Sequence, residues 1–159
     1  MPRFSAKNWK RPRIPKGKPT KYGWVVSHPR HFGLGRFTDL GFGVYIQSEE
    51  GVIIEDHVQI GGGVKIYSVN TIDGTKGKII IKRNARIGAN SVILPNVEIG
   101  ENSLVGALSL VNCSIPPNEM WGGVPAHQIG EISDGKRKVF GRVRTILNIL
   151  ARELGARRK

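Results

Sequence analysis

Residues 81–111 read IKRNARIGANSVILPNVEIGENSLVGALSLV, and an aliphatic residue returns at every sixth position of this stretch. These aliphatic residues are Ile81, Ile87, Ile93, Ile99, Val105 and Val111. The spacing continues upstream in two further blocks, Leu34, Leu40 and Ile46, then Ile54, Ile60, Ile66 and Ile72. The fourth residue after most of them is small or β-branched, as at Ala85, Ser91 and Val97. A fixed period over so long a stretch indicates a repeat architecture.

A period of six fits neither an α-helix, whose period is 3.6, nor a free-standing strand, whose side chains alternate at every residue. It fits short parallel strands joined by sharp turns, with three strands closing a coil of about eighteen residues. The third residue after the aliphatic position often tolerates a left-handed backbone. These corner residues are Gly43, Gly63, Asn84, Asn90, Asn96 and Asn102. The sequence therefore predicts an all-β chain that forms a parallel β-helix of hexapeptide repeats.

The repeat changes phase twice, and an insertion into stacked strands must loop out at a corner. One break adds two residues near positions 50–53, and the other adds three within residues 71–80, TIDGTKGKII. Loops on a rigid scaffold often carry function. Because Asp-Gly is also a strong turn former, a plain surface turn at residues 73–74 explains the second break as well.

Charge separates the ends of the chain from its middle. The 159 residues include 25 Lys+Arg and 12 Asp+Glu, a formal net charge of +13. Residues 1–38 hold ten basic residues and no acidic one, and residues 135–159 hold nine basic residues and one acidic residue. Residues 39–134 have a net charge of −5. Binding to nucleic acid or to an anionic surface would therefore use the two flanks.

Composition excludes several protein classes. The single cysteine, Cys113, excludes a disulfide framework and a cysteine-based zinc site, and it favours a reducing compartment. No apolar run approaches the roughly 18 residues that span a membrane, and the N-terminal residues are too rich in Pro and Lys for a secretory signal. These features predict a cytoplasmic protein without a transmembrane segment.

The chain divides into three parts: a basic N-terminal arm over residues 1–33, the repeat over 34–130, and a basic C-terminal segment over 131–159. From residue 137 onward the apolar residues follow helical spacing, namely Phe140, Val143, Leu147, Leu150 and Leu154. This pattern predicts an amphipathic α-helix. It would cap the prism or pack beside a partner chain, and a membrane-surface role is the alternative.

Two short motifs follow the repeat, SIPPN at residues 114–118 and GVPA at residues 123–126. With them, residues 81–130 resemble the closing coils of hexapeptide-repeat acyltransferases, and the similarity extends upstream to about Leu34. The resemblance implies left-handed coils, a homotrimer, and acetyl-CoA bound as acyl donor in the groove between neighbouring prisms. The acceptor it implies is a hydroxyl or an amine of a sugar or a nucleotide-linked sugar.

The resemblance also implies a donor site. Ala89 and Ala107, one coil apart on the same corner, match the small residues beside the pantetheine arm. Asn112, Cys113 and His127 match positions near the nucleotide end, where the family often has Thr, Lys and Arg. The basic residues 136–138 would supply the missing charge, because an anion needs a nearby cation rather than one particular residue.

The catalytic base departs from the family's pattern. Acetyl transfer needs the proton of the nucleophile removed, and the family uses a histidine on the loop after the early coils. In this sequence Asn70 or Thr71 takes that place, and neither can act as a base. Asp73, on the inserted loop, is one substitute.

Histidines are the other substitutes. His57 lies at a corner position that otherwise holds Gly or Asn, so a structural role explains it well. His28 and His31 precede the first clear coil and would reach the groove of a neighbouring subunit. His127 suits contact with the cofactor better than catalysis.

Three functions remain open from the sequence. The leading one is an acetyl-CoA-dependent acyltransferase acting on a small-molecule sugar. A catalytically degenerate trimeric scaffold is the second, because the loop histidine is missing. Polyanion binding through the basic arms is the third, and it rests on charge alone.

Overall fold

The computed structural model of the chain describes residues 9–133 and 136–139. Within these residues it forms three β-sheets and one 3-10 turn, Pro29–His31. Sheet 1 contains β1 (Val25–Val26), β4 (Tyr45–Gln47), β7 (Lys65–Tyr67), β10 (Val92–Ile93) and β13 (Leu110–Val111). Sheet 2 contains β2 (Phe32–Leu34), β5 (Val52–Ile54), β8 (Ile79–Ile81) and β11 (Glu98–Ile99). Sheet 3 contains β3 (Asp39–Leu40), β6 (Gln59–Ile60), β9 (Arg86–Ile87), β12 (Leu104–Val105), β14 (Glu119–Gly122), β15 (His127–Ser133) and β16 (Lys136–Val139).

Consecutive strands from β1 to β12 enter the three sheets in rotation, and strands of successive coils pair in parallel. Arg86 in β9 pairs with Leu104 in β12, and Val92 in β10 pairs with Leu110 in β13, both steps of eighteen residues. The three sheets are the sides of a prism. The predicted parallel β-helix is confirmed, and the handedness of its coils stays a prediction.

The aliphatic residues of the repeat fill the interior of the prism. Twelve of the thirteen are at most 7% exposed. The residues four positions further on, such as Val44, Ala85 and Ser91, are buried as well. Each hexapeptide therefore contributes two inward-facing residues to a core that runs the length of the coils, and the period of six follows from the three sides.

Ile72 is the exception, and the prediction that it continues the repeat is wrong. Its side chain is 94% exposed. Ile54 pairs with Ile81, a step of 27 residues, so the second insertion adds nine residues to a regular coil rather than three. The spacing of six between Ile66 and Ile72 is accidental, because Ile72 lies in a loop with no strand above or below it. The first insertion is confirmed as two residues, since Ile46 pairs with Ile66 twenty residues later.

The corners adopt the left-handed backbone that the Gly and Asn positions predict. Asn84, Asn90, Asn96 and Asn102 have φ between 58° and 62°, and His57 has φ 61°. Close stacking of the coils also demands a residue without a side chain where some corners begin. A Cβ atom on Gly88 would lie 2.3 Å from the backbone nitrogen of Ala107 in the next coil.

The first coil begins earlier than the sequence boundary at residue 34. Trp24 and Val26 are buried, and β1 pairs with β4. Residues 9–19 reach across the open end of the prism: the indole nitrogen of Trp9 donates to the Thr38 carbonyl at 3.0 Å, and Lys16 bridges to Val26. Much of the expected N-terminal arm is therefore a cap, because the end of a β-helix exposes apolar core that must be covered.

The C-terminal part differs from the helix expected over residues 131–159. Residues 131–133 belong to β15, which pairs antiparallel with β14, and β16 pairs antiparallel with β15. Pairing with β15 provides partners for the backbone of residues 136–139 at the edge of sheet 3, where a helix would have to make its hydrogen bonds within itself. Residues 140–159, which carry the apolar spacing, lie outside the described residues, so a helix there stays a prediction.

Candidate active site

Three edges run along the prism where one sheet turns into the next. Edge 1–2, from sheet 1 to sheet 2, passes through residues 27–31, 48–51, 68–78, 94–97 and 112–114. Edge 2–3 passes through residues 35–38, 55–58, 82–85, 100–103 and 116–118. Edge 3–1 passes through residues 41–44, 61–64, 88–91, 106–109 and 122–126. The candidate residues from the sequence lie on or directly beside these edges, apart from residues 136–138, which lie in β16.

Edge 3–1 presents a track of small residues. Gly62, Ala89 and Ala107 take the same place in three successive corners. Backbone hydrogen bonds of 2.9 Å hold these corners together, from Asn90 to the Gly62 carbonyl and from Leu108 to the Ala89 carbonyl. The prediction that Ala89 and Ala107 share one corner, a coil apart, is confirmed. A narrow ligand can lie against the backbone here, because no side chain of the track is larger than a methyl group.

A shallow groove borders this track on the outer face of sheet 3. It encloses about 420 Å³ and is lined by side chains of sheet 3, among them Asp39, Gln59, Arg86 and Leu104, and by the corner residues Gly61, Gly88, Gly106 and Ala107. Gln59 and Arg86 are in register on neighbouring strands, and the side chain of Arg86 is exposed. The groove therefore combines an accessible backbone with one guanidinium group, Arg86, and one carboxylate, Asp39. The guanidinium group can bind an anionic part of a ligand.

Apolar side chains mark both ends of edge 3–1. Phe42 lies at one end, and Leu108 and Val124 lie at the other, and all three are exposed. His127 follows them, with its ring beside Gly123: a Cβ atom on Gly123 would lie 3.0 Å from ring carbon Cε1. Both ends of edge 3–1 are therefore apolar on the outside of the prism.

The inserted loop on edge 1–2 is folded back on itself. Val69 bridges to Lys76, and the amide of Asn70 donates to the Thr75 carbonyl at 2.8 Å. Asp73 Oδ1 accepts from the amide of Thr75 at 2.9 Å and from its hydroxyl at 2.7 Å. These two hydrogen bonds from Thr75 are the main reason that the pKa of Asp73 lies below its ordinary 3.8. The carboxylate is therefore engaged within its own turn and is a weak proton acceptor.

Buried polar groups fasten the loop to the coil before it. The Ser68 hydroxyl donates to Gln47 Oε1 at 2.9 Å, and the amide of Glu50 donates to the Ser68 hydroxyl at 3.0 Å. From the coil after it, the Asn96 side chain donates to the Lys76 carbonyl at 2.8 Å. The two insertions, in neighbouring corners of edge 1–2, are thus joined by hydrogen bonds.

His31 lies beside these insertions. Its Nδ1 atom is 2.6 Å from the carbonyl oxygen of Glu49, in the corner beside the first insertion. The Ser48 hydroxyl donates to the carbonyl of His28 at 2.8 Å, so the turn Pro29–His31 is tied to the same corner. A depression of about 540 Å³ opens next to the ring, with Gly33 and Ile53 in its floor.

The other described histidines have different surroundings. His57 lies on edge 2–3, where its ring stacks on Phe37 with centroids 5.0 Å apart. Its left-handed φ agrees with the structural role that the sequence allows for this position. His28 Nδ1 is 3.0 Å from the Ser27 hydroxyl, and His127 Nδ1 is 3.5 Å from the Pro125 carbonyl.

The residues that resemble the family's donor site fall on two edges of the prism. Ala89 and Ala107 lie on edge 3–1, with His127 directly after it. Asn112 and Cys113 lie on edge 1–2, beyond the other end of β13, and both are exposed. Asn70 and Asp73 also lie on edge 1–2, and His57 lies on edge 2–3. One chain therefore does not bring the predicted residues together.

The sequence offers His31 as one of several substitute bases but does not single it out. The feature that singles it out is a hydrogen bond to a backbone carbonyl eighteen residues away. Every residue has such a carbonyl, so the sequence cannot show this contact. Among the described residues, no cluster of three or more His, Cys, Asp or Glu is placed to hold a metal ion. The described part of the chain also contains no helix that is long and apolar enough to span a membrane.

A family model supports the repeat. Residues 78–115 match the family described as bacterial transferase hexapeptide (six repeats). This match covers the coils on which Ala89 and Ala107 lie.

Curated relatives extend the similarity over most of the chain. A serine acetyltransferase of Buchnera aphidicola is 38% identical over 117 residues, 73% of this chain and 44% of the relative. A galactoside O-acetyltransferase of Escherichia coli is 34% identical over 130 residues, 72% of this chain and 64% of the relative. The chain spans about half the length of curated relatives that it matches, from 40% to 56% for three of them.

Solved structures give the same picture. A hexapeptide-repeat acetyltransferase of Vibrio cholerae, complexed with acetyl coenzyme A, superposes with TM-score 0.67 at 28% identity, covering 70% of this chain and 66% of that one. A galactoside acetyltransferase in complex with coenzyme A superposes with TM-score 0.63 at 33% identity, covering 70% and 60% of the two chains.

Proposed function

Because the chain belongs to the hexapeptide-repeat acyltransferase family, we propose that it transfers an acetyl group from acetyl-CoA to a small acceptor. The acceptor group we propose is a hydroxyl of a sugar, since relatives over most of the chain are named for acetylation of galactosides and of serine. An amine and a nucleotide-linked sugar are the other acceptors that the sequence leaves open.

The track of Gly62, Ala89 and Ala107 carries this proposal. A pantetheine arm is a narrow chain with two amide groups, and it needs backbone contacts and a path free of large side chains. The track supplies both over successive coils, and Arg86 lies beside it to attract the phosphates of the nucleotide part. A fold alone does not fix chemistry, so the argument rests on this edge rather than on the β-helix.

We also propose a homotrimer, in which edge 3–1 of one chain meets edge 1–2 of the next. Two observations support it: the family-like donor residues are divided between these edges, and exposed Phe42, Leu108 and Val124 follow edge 3–1. In a closed ring every such contact is the same, so three copies form three equivalent sites. Asn112 and Cys113 of one chain would then join Ala107 of its neighbour around one donor.

The reaction we propose is a direct transfer. The acceptor oxygen attacks the carbonyl carbon of the thioester, the carbon–sulfur bond breaks, and the thiolate leaves as free CoA after gaining a proton. Backbone amides of the coil corners would stabilise the negative charge on the carbonyl oxygen. A base must take the hydroxyl proton, because a neutral hydroxyl is a weak nucleophile.

Binding of acetyl-CoA tests the proposal. A ligand at about one hundred times its dissociation constant stabilises the native state by about 2.7 kcal/mol, and each kcal/mol is worth about 2–4 °C for a chain of this size. We expect millimolar acetyl-CoA to raise the thermal midpoint by about 5–10 °C. Ala107→Trp should abolish the shift by filling the track.

The control is Glu101→Trp, which places the same ring at the equivalent corner position of edge 2–3 and should leave the shift intact. A wild-type protein whose midpoint does not move in acetyl-CoA would refute the proposal and favour the scaffold function. The scaffold is the second candidate because residues 69–78, the inserted loop, contain no histidine.

A further inference from the structure

The hydrogen bond of His31 fixes which of its ring nitrogens carries hydrogen. The Glu49 carbonyl oxygen, 2.6 Å from Nδ1, can only accept a hydrogen bond, so Nδ1 must donate. The neutral ring then has a free lone pair on Nε2 and can take a proton there. A base whose orientation is set by a third group is the arrangement that activates a hydroxyl nucleophile.

The space beside the ring suits a small polar acceptor. Gly33 and Ile53 form the floor of the depression, and Arg30, Glu49 and Lys78 line it with charges of both signs. Both corners with insertions contribute, the first through Glu49 and the second through Lys78, its last residue.

We propose that His31 is the general base of the acyl transfer, and this inference rests on the proposed function. Its Nε2 atom takes the proton of the acceptor hydroxyl while the oxygen forms a bond to the thioester carbonyl carbon. The carbon–sulfur bond then breaks, and the imidazolium returns its proton to the leaving thiolate. The products are the acetyl ester and CoA, and the neutral ring is restored.

The reacting groups come from two copies of the chain. His31 lies on edge 1–2, whereas Ala89 and Ala107 lie on edge 3–1, and sheet 1 separates these edges within one prism. Two edges of one prism point in different directions. His31 therefore acts on a thioester bound along the edge of a neighbouring copy.

The alternative bases in the described part of the chain are less suited. Asp73 uses one carboxylate oxygen within its own turn, and its pKa is lowered by the two hydrogen bonds from Thr75. His57 lies on the third edge with its ring stacked on Phe37. Asn70 has no basic nitrogen.

His31→Asn tests the role of Nε2. The amide nitrogen of Asn takes nearly the place of Nδ1, so the contact with Glu49 is kept while the basic atom is removed. His57→Asn is the matched control, because Asn occupies the equivalent corner position at residues 84 and 102. Thiol release from acetyl-CoA is measured with methyl galactoside, with L-serine and with water alone as acceptor.

We expect His31→Asn to lower the rate of thiol release about 100- to 10,000-fold and His57→Asn to leave it unchanged. The thermal shift with acetyl-CoA should remain in both variants, which shows that the protein is folded and the donor edge is intact. Imidazole should restore part of the rate to His31→Ala, since the ring is exposed. If His31→Asn releases thiol from acetyl-CoA at the wild-type rate, His31 is not the base, and the proposed function is unaffected. A wild type that binds no acetyl-CoA, or releases no thiol with any acceptor, overturns the proposed function with it.

Mixed oligomers test whether two copies share the site. His31→Asn and Ala107→Trp are each expected to be inactive alone. Co-expression should create sites in which His31 of one chain meets Ala107 of another, at about one quarter of all sites for random mixing in a ring. We expect about a quarter of the wild-type rate. Mixed oligomers without activity would place the base and the donor in one chain and overturn the shared site.

Discussion

Replacing Gly88 by alanine is expected to push two coils of the prism apart. The added Cβ atom would lie 2.3 Å from the Ala107 nitrogen and 2.6 Å from the Ala107 Cα atom. Carbon and nitrogen atoms that are not bonded pack at about 3.5–4.0 Å, so the corner must open by more than about 1 Å. The Gly88 amide donates to the Val105 carbonyl at 2.8 Å, and this hydrogen bond would stretch as the coils separate.

The cost follows from these two effects. Overpacking against backbone costs about 1–3 kcal/mol, and a weakened hydrogen bond adds about 1 kcal/mol. We expect the free energy of unfolding to fall by about 2–4 kcal/mol, which lowers the thermal midpoint by about 5–15 °C. Gly33→Ala is the matched control, because its new Cβ atom would meet Ile53 at an ordinary 3.6 Å. It should be neutral or stabilise by up to about 1 kcal/mol, since alanine restricts the unfolded chain.

Both variants are compared by thermal unfolding followed by circular dichroism and by urea unfolding. Equal slopes of the unfolding free energy against urea concentration would show that both variants expose the same amount of surface on unfolding. A Gly88→Ala protein that unfolds at the same midpoint as Gly33→Ala would refute the argument that stacking excludes a side chain at this corner.

Three further substitutions test the inserted loop and its surroundings. Ile66→Ala should lower the free energy of unfolding by about 2–5 kcal/mol, because Ile66 is fully buried. Ile72→Ala should change it by less than about 0.5 kcal/mol, because Ile72 is exposed. Equal losses of stability in urea unfolding would contradict the exposed position of Ile72. The pKa of Asp73 is lowered by Thr75, so the stabilisation is complete at neutral pH and is lost as the pH falls through the folded pKa, below 3.8. Carbon-13 NMR titration should show a midpoint below 3.8 that rises in Thr75→Ala, and a midpoint unmoved by that substitution would argue against the hydroxyl contact.

The position of His31 on edge 1–2 changes how the missing loop histidine is interpreted. At the position expected from the family the chain has Asn70 or Thr71, which suggests a degenerate enzyme if only that loop is considered. His31 lies on the same edge as the loop, and Ser48, Glu50 and Ser68 connect the two insertions around it. The proposed base would then be displaced to the first coil rather than lost.

The positive charge of the described residues is concentrated at the capped end of the prism. Eight basic residues and no acidic one occur between residues 9 and 36, at the capped end of the prism. The side chains of these basic residues are all exposed, and the ion pairs within the described residues join other cations, Lys82 and Arg83, to glutamates. The high net charge therefore describes the cap and the C-terminal residues rather than the coils that would bind the donor.

The sequence alone determined the parallel β-helix, the buried residues and the corners. Each hexapeptide specifies its own strand and turn: an aliphatic residue every six positions turns inward, and Gly or Asn takes most of the left-handed corners. Phe37, His57 and Leu108 take the same conformation at three others. Such preferences are local, so they can be recognised without knowing what lies in the next coil. For the same reason Ala89 and Ala107 could be placed on one corner from their spacing of eighteen.

Only the tertiary structure decided what happens where the repeat is interrupted. Ile72 keeps the spacing but lacks a strand to stack on, and the N-terminal residues that look like a free arm cover the end of the core. Which edge of the prism each candidate residue occupies depends on how many residues each insertion adds to its coil. The role inferred for His31 depends on one backbone carbonyl, that of Glu49, which comes within 2.6 Å only because the first two coils stack.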